Sequence, residues 1–346
     1  MEQAFRHKIS IAPMIDITYE HFRVFFRLLT KNCVLYTEMI HENAINLSRV
    51  LKPFPLVLDY SQVEHPVVCQ LGGNDPEKLA KAAQIAELAG FDEINLNVGC
   101  PSERVQDGAF GACLMKEPHL VAKCMKTMKE AVKIPCTVKC RLGVDNLDTY
   151  EFVRNFIEIV NKEGQVNHFI MHARKAFLKG LNPHENRTVP PLKYDWVYEL
   201  KKEFPQINFT LNGGIKCTEH IDQVMPNVDG VMIGRTAHEN PWIFSDFDRR
   251  YYGGENQNYN RKEILLLYAE FVEEKRANGC KVSTQMCVKP IINLFNGEMN
   301  NKKYRQFLSN TDNHKLGFRV MINQVIEHMQ EWNQEALLVR PNDYKF

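Results

Sequence analysis

A chain of 346 residues, 44% hydrophobic and 25% charged, has the make-up of an ordinary globular enzyme and the length for one barrel with an appended domain. Its formal charge of +1 gives no global pull toward a polyanion, no apolar run reaches the length of a bilayer span, and no signal-peptide pattern precedes the first strand. The ten cysteines contain no CxxC pair, so no zinc or iron–sulfur spacing is present, no metal is expected, and reduced thiols in a cytoplasmic protein are the expectation.

Short apolar or β-branched runs predict strands over residues 9–13, 33–39, 66–71, 93–97, 136–141, 168–172, 208–212 and 230–233. Amphipathic stretches predict helices between them, over 19–29, 76–89, 118–132, 149–161 and 195–203, with another starting near Thr236. Pro76 and Pro118 each follow an acidic residue, a helix-start signature. Eight strands alternating with helices over about 250 residues fit a closed (β/α)8 TIM barrel better than an open doubly wound sheet. After Tyr252 a polar stretch, Gly253 to Asn258, reads as a linker. Beyond it the strand signal ends, and 262–278, 288–295, 302–308 and 316–338 favour helix. The domain expectation is a catalytic barrel over 1–252 and a C-terminal all-helical domain over 260–346.

In such a barrel the strand C-terminal ends carry the chemistry. Cys100 sits on a Gly/Pro turn just past the fourth strand. It is either a packed free thiol or a reactive group, and its neighbours favour the second reading. Gly213-Gly214 and Gly234-Arg235 fall at the ends of strands seven and eight, where this fold commonly holds a phosphate. Lys139 lies in an apolar strand, where a buried ammonium requires an anion: a carboxylate such as Glu38, or an anionic cofactor. His172 ends strand six, and Gln70 on strand three can both donate to and accept from a heterocycle's edge. Phosphate, heterocycle, lysine and thiol together point to FMN, with Cys100 as general acid because no Cys–His–Asp order accompanies it. Two basic clusters stand out against the neutral whole: five Lys/Arg against Glu185 from His172 to Lys193, and seven against Glu298 and Asp312 from Lys281 to Val320. They offer an electrostatic footprint for a phosphate backbone and could form opposite walls of a cleft for an extruded base.

These motifs resemble those of the tRNA-dihydrouridine synthase family, and within it the DusA branch. The resemblance rests on Ala12-Pro13-Met14, Tyr36 to Met39, Gln70 to Gly73, Asn95 to Ser102 with Gly108 to Ala112, and Val138 to Gly143. It continues through His172 to Ala176, Gly180 to Arg187, Asn212 to Ile215 and Gly230 to Arg235. It implies NADPH-driven reduction of the C5–C6 bond of uridine at tRNA positions 20 and 20a, with hydride from reduced FMN to C6 and a proton from Cys100 to C5. It carries flavin contacts onto Pro13, Met14, Ile15, Gln70, Lys139, His172, Asn212, Gly213, Gly214, Gly234 and Arg235. Asn97 matches a position that touches the target nucleotide. RNA contacts fall on His184, where the family often has lysine, and on Arg187, Lys302 and Arg305. No obligate protein partner is evident. Two other readings are a flavin barrel acting on a free pyrimidine, in the manner of dihydroorotate dehydrogenases, and a non-catalytic RNA-binding protein.

Overall fold

Side chains alternate in and out along each parallel strand, and that alternation decides what fills the centre of the molecule. The computed structural model describes residues 7–47 and 58–346. Its strands are β1 (Ile9–Ile11), β2 (Leu35–Tyr36), β3 (Ile40–His41), β4 (Val67–Gly72), β5 (Glu93–Val98), β6 (Cys136–Arg141), β7 (His168–His172), β8 (Asn208–Asn212) and β9 (Gly230–Ile233). All pair in parallel, in the order β1-β9-β8-β7-β6-β5-β4-β2, with β3 also on β4. The Ile11 amide donates to the Val34 carbonyl at 2.9 Å and the Val34 amide to the Ile9 carbonyl at 3.0 Å, which closes the ring between its first and last members. This is the (β/α)8 barrel expected from the alternation.

The second predicted strand, 33–39, differs from expectation: only β2 lies within it, and a second two-residue piece, β3, follows just past its predicted end, the two lying in succession along β4. The break has a local cause. The Gln70 amide of β4 donates to the Thr37 hydroxyl at 3.0 Å, so a side chain stands where a ladder carbonyl would. Inside the barrel, Ala12, Val34, Tyr36, Val68, Ile170 and Met232 form one buried apolar cluster. Polar residues fill much of the remaining interior: Glu93 and Asn95 on β5, Thr137 on β6 and His168 on β7 are all buried.

The helices follow the predicted order. Asp75 caps Pro76–Ala89, accepting from the Glu77 and Lys78 amides at 3.1 and 3.2 Å, whereas Glu117 makes no such bond before Pro118–Ala131. The described residues divide into two compact units. The barrel unit takes residues up to Ile15, from Val34 to Tyr60 and from His65 to Gly234. The helical unit takes Asp16–Cys33, Ser61–Glu64 and Arg235–Phe346, so the helix Glu20–Leu29 belongs to it.

Within that helical unit Arg261 is fully buried. Its guanidinium lies 3.9 Å from the Trp242 ring centre and donates to the Ala336 carbonyl at 2.7 Å and to Glu298 at 2.8 Å. Asp248, also fully buried, accepts from the Thr30 hydroxyl and the Lys31 amide, each at 2.7 Å, which ties the end of Glu20–Leu29 into the unit. The predicted helix over 288–295 is instead a series of turns after the helix Thr284–Val288. Pro290 lacks the amide that a continuing helix would need. The long stretch 316–338 breaks at Asn333, which caps Gln334–Leu338.

Candidate active site

Cys100 stands two residues past β5, half-exposed, on a turn whose amides are held by the Asn97 side chain. Asn97 Oδ1 accepts the amides of both Gly99 and Cys100, at 3.1 and 3.0 Å. The Cys100 carbonyl in turn accepts the Ala112 amide at 2.9 Å. A Cβ on Gly111, whose φ is +73°, would fall 2.6 Å from that carbonyl oxygen, so the glycine is needed for the approach. The thiol itself lies 3.4 Å from the Ser102 hydroxyl. Ser102 stands at a helix N-cap yet makes no capping bond, which leaves its hydroxyl for the thiol.

Cations gather beside this turn. Arg141, two residues after Lys139 and therefore on the same barrel face, is buried and donates to the carbonyls of Gly99 at 2.9 Å, Lys175 at 3.0 Å and Asn186 at 2.8 Å. Burial lowers its pKa to about 10, with Arg187 and Arg174 adding to the effect. Lys139 donates to Asn212 Oδ1 at 3.1 Å, and burial, then the charge of Arg141, lowers its pKa to about 8. The Asn212 amide group donates onward to the Met232 carbonyl at 2.8 Å, so its orientation is fixed. His172 is held well below its ordinary pKa by burial first, then by Arg141, Lys139, Arg174 and Arg187, and is a neutral imidazole.

The glycine pair after β8 has φ of +111° at Gly213 and +73° at Gly214. A Cβ on Gly213 would strike His172 Cδ2 at 2.7 Å, and one on Gly214 would meet Leu192 Cδ1 at 2.5 Å. Two successive positive-φ positions suit glycine, and without side chains they let a ligand approach the backbone closely. Gly234 ends the barrel unit under looser conditions: its Cβ would lie 3.7 Å from Ala12 Cβ and 3.9 Å from Met14 Sδ. The donor set fits a flavin nucleotide: a desolvated ammonium, a neutral imidazole, two oriented amides and a glycine cradle. Pro13 and Met14 are half-buried after β1, and Ile15 is 57% exposed. Arg235 opens the helix Arg235–Glu239 of the helical unit.

The family profile that the chain matches, dihydrouridine synthase (Dus), covers residues 10–331. The chain belongs to the dihydrouridine synthase family. It is 48% identical over 303 residues to a tRNA-dihydrouridine(20/20a) synthase of a Synechocystis species, covering 88% of this chain and 89% of that protein. The proteins of the same name from Escherichia coli K12 and Vibrio vulnificus are 44% and 43% identical, covering 93% and 92% of this chain and 90% and 95% of theirs. Among solved structures, a 2-naphthoyl-CoA reductase complex superposes with a TM-score of 0.53 at 8% identity over 71% of this chain. The chain spans half of that reductase, and the likeness is one of fold. As a dihydrouridine synthase, the protein is an oxidoreductase that reduces uridine to dihydrouridine in tRNA.

The synthase carries the sequence-predicted RNA contacts on its surface. His184 and Arg187 are exposed on a loop whose hub is Asn186, fully buried. The Asn186 side chain accepts from the Phe177 amide at 2.7 Å and donates to the Phe177 and Leu181 carbonyls, both at 3.0 Å. The nearby basic cluster is partly neutralised, because Lys175 and Lys193 lie 2.9 and 3.8 Å from the same Asp148 carboxylate. Lys302 and Arg305 are exposed on the helix Asn301–Ser309 of the other unit, three residues apart and so on one face. Tyr304 between them is fully buried, its hydroxyl donating to the Ile291 carbonyl at 3.0 Å, and is a packing residue. Arg141 and Asn186 are structural supports that the sequence-predicted site residues do not include. Arg141 is signalled by its two-residue spacing from Lys139, whereas nothing in the sequence marks Asn186 as a hub.

Proposed function

We propose that the protein is an FMN-dependent tRNA-dihydrouridine synthase that uses NADPH as reductant and acts on the D-loop uridines at positions 20 and 20a. Gln70, Lys139, His172 and Asn212 would hold the flavin ring, with Pro13, Met14 and Ile15 along it. Gly213, Gly214, Gly234 and Arg235 would hold its phosphate. When bound there, reduced FMN would supply the hydride for C6 of the uridine. Cys100 then gives its thiol proton to C5, which completes saturation of the double bond and leaves a thiolate next to the Lys139 and Arg141 charges. Asn97 would meet the target nucleotide, while His184, Arg187, Lys302 and Arg305 hold the RNA so that one base can leave its stack. We take 1–252 as the catalytic part, 260–346 as the tRNA-binding part and the cytoplasm as the place of work. No described helix is long and apolar enough to cross a membrane.

The observation that carries this reading is the thiol turn clamped by Asn97 among the desolvated cations Lys139 and Arg141. The choice of the 20/20a uridines rests on the names of the relatives. Purified protein should be yellow with flavin absorbance, and tRNA from a deletion strain should lose dihydrouridine at 20 and 20a. A colourless protein that cannot be loaded with FMN, or unchanged dihydrouridine in that tRNA, would refute it.

A further inference from the structure

A line of buried polar side chains runs through the barrel from the Cys100 turn to the opposite end of β5. Asn97 Nδ2 donates to Gln70 Oε1 at 2.9 Å, and Gln70 Nε2 donates to Asn95 Oδ1 at 2.8 Å. Asn95 Nδ2 donates to Thr137 Oγ1 at 3.0 Å, and that hydroxyl donates to Glu93 Oε1 at 2.7 Å. Glu93 Oε2 lies 2.8 Å from His7 Nε2. Glu93, Asn95 and Asn97 sit two apart on β5 and so face the same way, and Gln70, Asn95, Thr137 and Glu93 are all at most 5% exposed.

The direction of the chain is fixed from the Cys100 turn. Backbone amides can only donate, so Asn97 Oδ1 must be the atom facing Gly99 and Cys100, and its Nδ2 must face Gln70. At the far end the Thr137 hydroxyl receives the Asn95 N–H, so its own hydrogen is left for Glu93 Oε1 at 2.7 Å, the nearer of its two acceptors, the Ile94 carbonyl lying at 3.4 Å. The amides between them then have one permitted orientation each. His7, Glu93 and His168 bring possible ligand atoms within 4.8 Å of one another, but His168 Nε2 is hydrogen-bonded to Thr210 at 2.8 Å and His7 Nε2 to Glu93. The trio is therefore read as the foot of this chain, not as a metal centre.

We propose that Glu93, Thr137 and Asn95 are positioning residues for uridine reduction: the chain of four hydrogen bonds, given its direction by the Cys100 turn and anchored at its far end on Glu93, holds the Gln70 and Asn97 amides in place against the site. This rests on the flavin and uridine reading above. With both lone pairs of Oδ1 taken by the Cys100 turn, Asn97 has only an N–H left for a ligand. It recognises a carbonyl oxygen of the base and opposes an exocyclic amino group, which favours uridine over cytidine at that contact. Gln70 keeps one N–H and one lone pair, in a fixed arrangement, for the flavin edge.

The test compares Thr137→Val, which keeps the shape and removes the hydroxyl, with Thr137→Ser, which keeps it. Val138→Ala, fully buried on the outward face of the same strand, is the control for lost stability. Two readouts use the apoprotein: the Kd for FMN from flavin fluorescence quenching, and the rate at which iodoacetamide alkylates Cys100, followed by peptide mass mapping. Thr137→Val should weaken FMN and speed Cys100 alkylation each by about five-fold, the change expected of one net hydrogen bond. Thr137→Ser should stay within about two-fold of wild type on both, the scale of a retained bond. Val138→Ala should leave both unchanged at a comparable loss of Tm. If Thr137→Val does not fold, Glu93→Gln makes the same comparison, because it replaces the carboxylate acceptor of the Thr137 hydroxyl with a weaker amide acceptor. Effects of Thr137→Val no larger than those of Val138→Ala, or no rescue by serine, would overturn the proposal. Failure of wild-type protein to bind FMN would instead remove the flavin reading, and the alkylation rates would still decide the chain.

Discussion

Asn97 and Cys100 are joined by one hydrogen bond of 3.0 Å, from the cysteine's amide to the asparagine's side-chain oxygen. The proposed nucleotide contact and the proposed proton donor are thus one rigid unit at the end of β5. Proton delivery to a base carbon depends on placement within a few tenths of an ångström, and a turn held this way gives the thiol little freedom to drift.

Lys139 supplies the clearest pH signature. Its ammonium carries charge below about 8 and loses it above, because burial disfavours the charged form. If that charge holds the flavin, FMN affinity of the apoprotein should fall as pH rises through about 8. Lys139→Met should bind FMN more weakly at pH 7 and show no such fall. Equal affinity and equal pH dependence in the two proteins would remove Lys139 from the cofactor site.

The glycines after β8 and β9 should respond differently to alanine. Gly213→Ala forces a β-carbon to 2.7 Å from His172 and an unfavourable φ, and should cost about 1–3 kcal/mol of stability along with FMN retention. Gly234→Ala meets only ordinary contacts, so its Tm should stay near wild type while FMN binding weakens if a phosphate passes there. Thermal melts and FMN titration of both variants check this. Unaltered FMN affinity in Gly234→Ala would move the phosphate away from that turn.

How much of the fold and the site was legible in the sequence depended on whether the signal was local. Period-two runs such as 93–97 and 136–141 marked the strands. The strand ends marked Cys100, Lys139 and His172, because a polar group in or just beyond an apolar run must either find a buried partner or face a ligand. Thr37 was not readable as a ladder substitute, so the predicted strand 33–39 shortens to Leu35–Tyr36. Nothing in the sequence marks Arg261 and Asp248 as buried, since burial of an ion is decided by partners distant in sequence, here Trp242 and Thr30. The polar chain was hidden for the same reason: Gln70, Asn95 and Thr137 lie on three strands and meet only when the barrel closes.

Arg187 and Arg305 should act on RNA affinity and not on the flavin. Each alanine variant should weaken tRNA binding and flatten the log-affinity against log-salt slope by roughly one unit, the loss of one phosphate contact. NADPH oxidation should be unaffected. The double variant should lose more than either single one in filter-binding or fluorescence titrations across salt. A double variant with wild-type slope and affinity would show that these charges are solvated surface.

Protonation of a tRNA uridine by Cys100 is the step on which the proposed chemistry turns. Unmodified tRNA transcript carrying uridine at 20 and 20a, incubated with FMN-loaded enzyme and NADPH, should gain two hydrogens per reduced uridine in nuclease fragments read by mass spectrometry. Cys100→Ala should keep its FMN and its reduction by NADPH, yet form the product about 10²–10⁴-fold more slowly, the usual cost of losing a general acid. Wild-type rates in that variant would return Cys100 to a packing role and contradict the mechanism.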